Sequence, residues 1–398
     1  MDKNVVLLCN KAAAVVPFRG PLIREIAGKG CKVHVFAPDF TARTREQVAS
    51  LGAEPVQFEM DRTGVNPVKD LLVVFRLAQR LRRLRTDTCL GFMTKLVVYG
   101  SLASFFAAVP NRFSMIEGLG YFFTDDGRAA SVRKGLIRRI ITSLYRMSLP
   151  LNRTLFVLNP DDARDLRASG ALGKTRVVIL DGIGVDTHEY AAEPPQGDAV
   201  KFMLVGRLLK EKGVREYVSA AGRLKQEYPS VGFALVGAED DGPGGIREQE
   251  VREWVASGAV EWPGAVADTR SWYRSASVCV LPSYYREGMP RTLIEAAAMG
   301  RPIITTDAPG CRETVRRLGG GETLELKPGR LPVTGRVIHG RNGFLVPAQD
   351  IEALAEAMEY FVVNSELLPR MGAESRRLAE ERFDVAKVNA RILEEMGL

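Results

Sequence analysis

Cysteine, histidine and long apolar runs are all scarce in this sequence of 398 residues. The five cysteines, Cys9, Cys31, Cys89, Cys279 and Cys311, are odd in number, scattered and mostly set in apolar runs. That argues against a disulfide framework or a zinc-spaced cluster and for a reduced, cytosolic protein with packed thiols. The longest uncharged run, residues 96–111, is 16 residues long and interrupted by Gly100, Ser101 and Ser104. It falls short of the ~20 apolar residues a membrane span needs, so no transmembrane helix is expected. Residues 1–4 lead directly into an apolar run at 5–8 with no signal-like region, which again implies the cytoplasm. The turn after that run, residues 9–20, lacks a G-x-G-x-x-G pattern, and a nicotinamide enzyme becomes a poor reading. Acidic metal ligands in a D-x-D arrangement are also missing. Asp125 and Asp126, Asp161 and Asp162, and Asp240 and Asp241 are adjacent pairs of the kind that cap turns, so no metal and no other cofactor is expected.

Acids are absent in one further place. Residues 128–153 contain Arg128, Arg133, Lys134, Arg138, Arg139, Arg146 and Arg153, no Asp or Glu, and interleaved Leu136, Ile137, Ile140, Ile141, Leu144, Tyr145 and Leu149. A basic amphipathic segment of this kind either lies on an anionic bilayer or packs on its own sheet with a solvated basic face, and the complete lack of acids favours the bilayer. Arg80, Arg82, Arg83 and Arg85 extend the same character. Residues 1–184 carry 28 Lys and Arg against 16 Asp and Glu, and residues 185–398 carry 27 against 32, within an overall charge of +7. The first half is therefore the side expected to meet an anionic partner. Nucleic acid is not expected, because the basic segments carry no recognition motif.

What is present is alternation. Apolar strand-like runs at 5–8, 32–36, 55–58, 112–116, 155–158 and 177–180 are separated by amphipathic stretches at 21–27, 43–51 and 67–84, the pattern of a parallel sheet with covering helices. Residues 189–199, with Pro194 and Pro195, read as a linker. A second cycle then runs from the apolar stretch 200–205 through 215–227, 232–236, 248–256, 278–281, 302–305 and 351–363. Residues 319–337 are glycine-rich, contain Pro328 and Pro332, and read as an inserted loop. These features imply a first domain at 1–188, a second at 189–373 and a charged helix at 374–398 that returns towards the first. The fold class is α/β, two doubly wound domains facing across a cleft.

The chemistry concentrates in the second cycle. Glu287 lies in a loop after the strand at 278–281, Pro290 suits a first helical turn, and Glu295 falls inside the helix. Carboxylates accept hydrogen bonds from sugar hydroxyls, while a helix N-terminus attracts phosphate. Gly206, Arg207, Lys212 and Gly213 follow the first strand of that cycle and place two cations between glycines, an arrangement suited to a diphosphate. These motifs, with the stretch from Asp181 through Gly184 to Asp186 and that from Asn342 to Pro347, resemble the retaining glycosyltransferases of the GT-B fold (family 4, group 1 type) over nearly the whole chain. The segment from Ile116 to Phe123 and the basic run after it are similar to the subgroup that builds glycans on undecaprenyl diphosphate, of which the transferase of N-acetylgalactosamine to lipid-linked diacetylbacillosamine is the nearest in kind.

The resemblance implies transfer, with retention, of a hexose or N-acetylhexosamine (N-acetylgalactosamine by subgroup) from a UDP-sugar to a polyprenyl-diphosphate-linked glycan. It places the protein on the cytoplasmic face of the inner membrane as a peripheral enzyme. In that picture Arg207 and Lys212 neutralise the diphosphate, Glu295 receives the ribose hydroxyls, and Glu287 holds the donor sugar with the N–H groups of Gly288, Met289 and Arg291. Pro290, Thr292, Leu293 and Gly184 complete the donor side. Where relatives carry a histidine in the first domain, this chain has residues 92–95, and its only histidines are His34, His188 and His339. Thr94 and Lys95 are therefore candidates for donor or acceptor phosphate contacts, Glu117 for a polar group facing the cleft and Arg19 for an acceptor phosphate, against the plain reading of packed or solvated loop residues. A UDP-sugar epimerase on the same architecture, or a membrane-bound nucleotide-sugar binder without turnover, is the alternative.

Overall fold

Apolar strands alternating with amphipathic helices build two parallel sheets in the computed structural model, which describes residues 3–61, 66–124, 132–196, 199–240, 242, 244–320 and 322–398. The first sheet is made from β1 (Asn4–Leu8), β2 (Lys32–Ala37), β3 (Ala53–Gln57), β4 (Thr88–Phe92), β5 (Asn111–Ile116), β6 (Thr154–Val157) and β7 (Arg176–Ile179). Their spatial order is β3-β2-β1-β4-β5-β6-β7, so the direction of winding reverses between β1 and β4. Val6 sits between His34 and Cys89 in register across that reversal. Helices α1 (Val15–Gly28), α2 (Ala42–Ala49), α3 (Pro67–Arg83), α4 (Met93–Phe106), α5 (Val132–Ser148) and α6 (Pro160–Ala168) connect the strands.

Residues 88–106 depart most from the sequence reading, which names neither β4 nor α4. The cause is burial on both sides. Leu96, Val97, Val98 and Ala103 of α4 are all buried, and α4 contributes to two separate cores, one with α3 and one with α5 and β6. A helix covered by neighbours on several sides has no polar stripe and so no helical period to detect. Gly91 near the end of β4 is needed for the tight entry, because a Cβ there would lie 2.6 Å from the Leu96 carbonyl oxygen.

The second sheet comprises β8 (Lys201–Val205), β9 (Gly232–Val236), β10 (Glu261–Gly264), β11 (Val278–Leu281), β12 (Ile303–Thr306), β13 (Ile338–His339) and β14 (Gly343–Val346) in the order β10-β9-β8-β11-β12-β14-β13. All neighbours are parallel except β13 and β14. Its winding reverses between β8 and β11, and ligands of such sheets bind beyond the carboxyl ends of strands at that reversal. Helices α7 (Val214–Glu227), α8 (Glu248–Ala256), α9 (Arg270–Ser275), α10 (Arg291–Ala298), α11 (Ile351–Val363) and α12 (Leu367–Leu378) cover it, and α13 (Val385–Met396) ends the chain's regular structure.

Two compact units result. One holds the first sheet up to Phe123, the stretch ending at Ile183, and Val385–Leu398; the other holds Thr124 and Gly184–Asp384. The divide falls before residue 188 because Val185 already belongs to the second unit, donating its N–H to the Phe383 carbonyl at 2.8 Å. Thr187 likewise bonds Asp384 at 2.6 Å. The expected single tail helix is two helices separated by a wide turn at Ala379–Phe383. Only α13 joins the first unit, where Asn389 donates to Glu25 of α1 at 2.6 Å and Arg176 pairs with Glu395 at 2.6 Å.

Among the described residues the inserted loop has no regular element between Thr314 and Ile338, yet it is pinned. The Glu359 carboxylate on α11 accepts the N–H groups of Arg330 and Leu331 at 2.6 and 2.9 Å and the Tyr228 hydroxyl at 2.9 Å. One turn earlier Glu356 accepts the Thr334 N–H at 2.8 Å. No described helix is long and apolar enough to cross a membrane.

Candidate active site

In the second unit the two loops that flank the winding reversal come together. After β8 the chain makes a single turn at Lys210–Lys212, and Gly213 caps it in the left-handed region with φ 72°. A Cβ on Gly213 would sit 2.2 Å from the Pro282 carbonyl oxygen, so the residue is glycine for two independent reasons. This close approach is reinforced by the Glu211 carbonyl, which accepts the N–H groups of Tyr284 and Tyr285 at 2.9 and 3.0 Å and the Ser283 hydroxyl at 3.2 Å. Lys212 is thereby held against the loop that follows β11, where its ammonium pairs with the Glu287 carboxylate. The same oxygen of Glu287 also accepts from Ser283 Oγ at 3.1 Å. From the other side Gly310, with φ 78°, packs on the Glu287 and Gly288 carbonyls, leaving no room for a side chain.

Pro290 occupies the cap position of α10 rather than its first turn, and no side chain caps that helix start. Met289 and Leu293 are buried. Leu293 does not offer its N–H outward, since it donates to the Pro290 carbonyl at 3.0 Å. One turn further on, Glu295 is buried among three donors. Arg291 Nε reaches it at 2.7 Å, the Tyr190 hydroxyl at 3.2 Å and the Tyr273 hydroxyl at 3.3 Å. Burial pushes the Glu295 carboxyl above its ordinary range, and Arg291 works against that shift. Tyr273 also donates to the Thr292 carbonyl at 2.9 Å, fixing the first turn of α10. Arg207 stands apart from these groups, exposed and paired with Asp240 at 2.7 Å. Gly184 opens the second unit in the left-handed region with φ 78°.

The first unit gathers its own candidates at the carboxyl ends of β1, β4 and β5. Arg19, on the second turn of α1, is buried and ion-paired with Glu117, with its guanidinium 4.1 Å from the centre of the Phe92 ring. Cys9, beside that pair, has its thiol pushed up to about 12 by burial. Thr94 and Lys95 are not part of this pair. Thr94 Oγ1 lies 3.4 Å from the Tyr145 hydroxyl, and Lys95 donates to the Asp61 carbonyl at 2.7 Å and faces Asp70 at 3.8 Å. Met93, just before them, has φ 66°, an unusual backbone state for a non-glycine residue. His34 lies within β2 with Nδ1 2.9 Å from a Glu54 carboxylate oxygen, a strand residue as expected.

Tyr190, Tyr273 and Ser283 have no role in the sequence reading, and Asp240 enters it only as half of an adjacent acidic pair. Arg291 with Glu295 was detectable as an i, i+4 pair; Tyr190 and Tyr273 reach Glu295 through tertiary structure and carry no local signal. Among the described residues no group of three or more His, Cys, Asp or Glu side chains is placed to hold a metal ion. Asp125, Asp126, Asp241 and Arg128 lie outside the described residues.

Residues 199–364 match the family model described as glycosyl transferases group 1. The N,N'-diacetylbacillosaminyl-diphospho-undecaprenol alpha-1,3-N-acetylgalactosaminyltransferase of Campylobacter jejuni is 29% identical over 78% of this chain and 82% of its own. The stretch 199–364 lies within the second unit and carries the likeness to the group 1 glycosyltransferases. The chain also resembles the capsular polysaccharide biosynthesis glycosyltransferase CapM of Staphylococcus aureus, 26% identical over 92% of this chain and 90% of that one. Its fold is GT-B. The structure of Anabaena HepE in complex with UDP and glucose covers 99% of both chains with a TM-score of 0.72 at 17% identity. Sucrose-phosphate synthase from Thermosynechococcus elongatus covers 98% of both with a TM-score of 0.72 at 18% identity.

Proposed function

We propose that this glycosyltransferase moves a hexose or N-acetylhexosamine, with retention of configuration, from a UDP-sugar to a polyprenyl-diphosphate-linked glycan. The observation that carries the reading is the meeting of Lys212, Glu287 and the start of α10 at the winding reversal of the second sheet. The finer assignment, N-acetylgalactosamine onto an undecaprenyl-diphosphate acceptor, rests on the named activity of the Campylobacter relative.

Each residue then has a distinct task. Lys212 gives a point charge to the departing diphosphate, and Arg207 leaves Asp240 to add a second. Together with the helix start they stabilise the charge that develops as the sugar–phosphate bond breaks. Glu287, buttressed by Ser283, accepts from the donor sugar hydroxyls, with backbone groups of Gly288, Met289 and Thr292 alongside. Glu295 keeps lone pairs beyond those used by Tyr190, Tyr273 and Arg291 for the ribose. Neither glutamate is a general base in this scheme; the leaving phosphate helps take the acceptor proton, and orientation supplies much of the acceleration. Arg19 and Glu117 act as a unit on the acceptor side, because Arg19 is neutralised by its partner and buried. Thr94 and Lys95 remain candidates for donor or acceptor phosphate contacts, and α5 is the part of the first unit that meets an anionic membrane surface on the cytoplasmic face.

The test is a panel of nucleotide sugars against lipid-linked acceptors, with products read by mass. Acceptor-dependent gain of one sugar supports the reading. Conversion of a UDP-sugar without acceptor would replace it with an epimerase.

A further inference from the structure

The helix α3 carries two apolar stripes, and the fold uses only one. Val73, Val74, Leu77, Ala78 and Leu81 are buried in the first core with Phe36 and Phe58. On the opposite side Val68, Leu71, Leu72 and Phe75 are 70%, 69%, 49% and 60% exposed. Their spacing is i, i+3, i+4, i+7, a continuous ridge over the first two turns of the helix. Further along the same side stand Gln79, Arg82 and Arg83. The one acid within α3, Asp70, is turned away from the ridge towards Lys95.

The placement of this ridge follows from topology. Helices α3 and α5 follow the parallel strands β3 and β5, so both begin at the carboxyl edge of the first sheet, and both pack against α4. The first turns of α5 expose Val132, Leu136 and Ile140 among Arg133, Lys134, Arg138 and Arg139, and Met93 at the start of α4 is exposed between the two helices. Around the α3 ridge the charges cancel, since Arg76 pairs with Glu59 at 2.6 Å and Lys69 faces Asp61 at 3.9 Å. One layer thus presents an apolar, locally neutral tip beside a strongly basic shelf.

We infer that the ridge of α3 inserts into the headgroup boundary of an anionic bilayer while α5 lies on its charged surface. This rests on the membrane-facing reading of α5 given above and adds the element that supplies the apolar part of the attachment. A basic shelf alone gives weak, salt-sensitive adsorption. Burying three or four large apolar side chains beside it converts adsorption into stable peripheral binding, and the helix, 17 residues long and carrying six charged side chains, is too short and too charged to span. A lipid-borne acceptor would then arrive at the edge where Arg19 and Glu117 sit.

Flotation of the full chain with phosphatidylcholine vesicles, with and without phosphatidylglycerol, separates the contributions without any substrate. The wild type is expected to float with the anionic vesicles. The triple variant Leu71→Ser, Leu72→Ser, Phe75→Ser is expected to bind about tenfold or more weakly, with an unchanged thermal midpoint because all three side chains are exposed. A second variant, with Arg133, Lys134, Arg138 and Arg139 each changed to Gln, tests α5 separately. Equal flotation of the triple variant would overturn the inference even if the α5 variant fails to bind, and a wild type that stays in solution would overturn both. Concentration-dependent self-association of the wild type, lost in the triple variant, would assign the ridge to a second copy of the chain instead.

Discussion

The second unit holds two pairs of carboxylates on successive parts of its fold, and they are satisfied in opposite ways. Glu356 and Glu359 on α11 accept backbone N–H groups of the inserted loop alongside the Thr334, Tyr360 and Tyr228 hydroxyls, and the backbone donors cannot leave without unmaking that loop. Glu287 and Glu295 are met by side chains, Lys212, Ser283, Arg291, Tyr190 and Tyr273. The first pair is wired as structure, and the second has the donors expected of the site proposed above. In the fold, the identity of the donor separates the two pairs.

The sharpest way to break this comparison is to remove the cation. Lys212→Ala is expected to lower the transfer rate about a thousandfold, as removal of one charge-stabilising donor does elsewhere, while circular dichroism stays native. A rate within a few-fold of wild type would move Glu287 into the structural class. Gly213→Ala should follow in size. It forces a side chain into the Pro282 carbonyl at a left-handed φ, and a loss of at least about 3 kcal/mol in urea unfolding is expected, accompanied by loss of transfer because Lys212 moves with it.

On the structural side, Glu359→Ala strips two backbone N–H groups and the Tyr228 hydroxyl of their acceptor. It should cost about 2–3 kcal/mol of stability yet leave the transfer rate of the folded fraction near wild type. A large rate defect at full stability would erase the distinction.

The smallest effect is the most diagnostic for Glu295. Its carboxyl is held above the ordinary value of 4.5 by burial, so over the window just above 4.5 the folded protein keeps a proton that the unfolded chain has released. Stability must then fall as pH rises through that window and level off once Glu295 ionises. Glu295→Gln lacks the titration. The stability difference between wild type and variant, measured by urea unfolding from pH 4.5 upward, should therefore drift in the variant's favour, and a constant difference would contradict the shift.

Strand and helix alternation made most of both sheets legible in the sequence, because half-buried elements write their period into it. The failures have physical causes. Helix α4 is covered on several sides and shows no stripe, and β4 before it contains Gly91, which reads as a breaker although the fold needs it there. The tail reads as one helix because nothing in its charge pattern marks the wide turn at Ala379–Phe383. Among the second unit's candidate residues, Arg207, Lys212, Glu287 and Glu295 stand out as charges at strand and helix ends; the first unit's candidates are harder to read. The pairing of Arg19 with Glu117 does not stand out, since 98 residues separate them in sequence. Nor does the engagement of Lys95 with Asp61 and Asp70, which comes from α3 and the stretch before it.

The crossing of α13 back to the first unit has a consequence for synthesis. Everything between Gly184 and Asp384 must leave the ribosome before Val385–Leu398 can dock on α1. At ordinary elongation rates, roughly 200 residues take about 10–40 s. For that interval the nascent first unit shows the face of α1 that α13 later covers, including Glu25, the acceptor for Asn389. The unit that is made first is therefore the last to be finished, and the chain is most exposed to misassembly while its second half is still being translated.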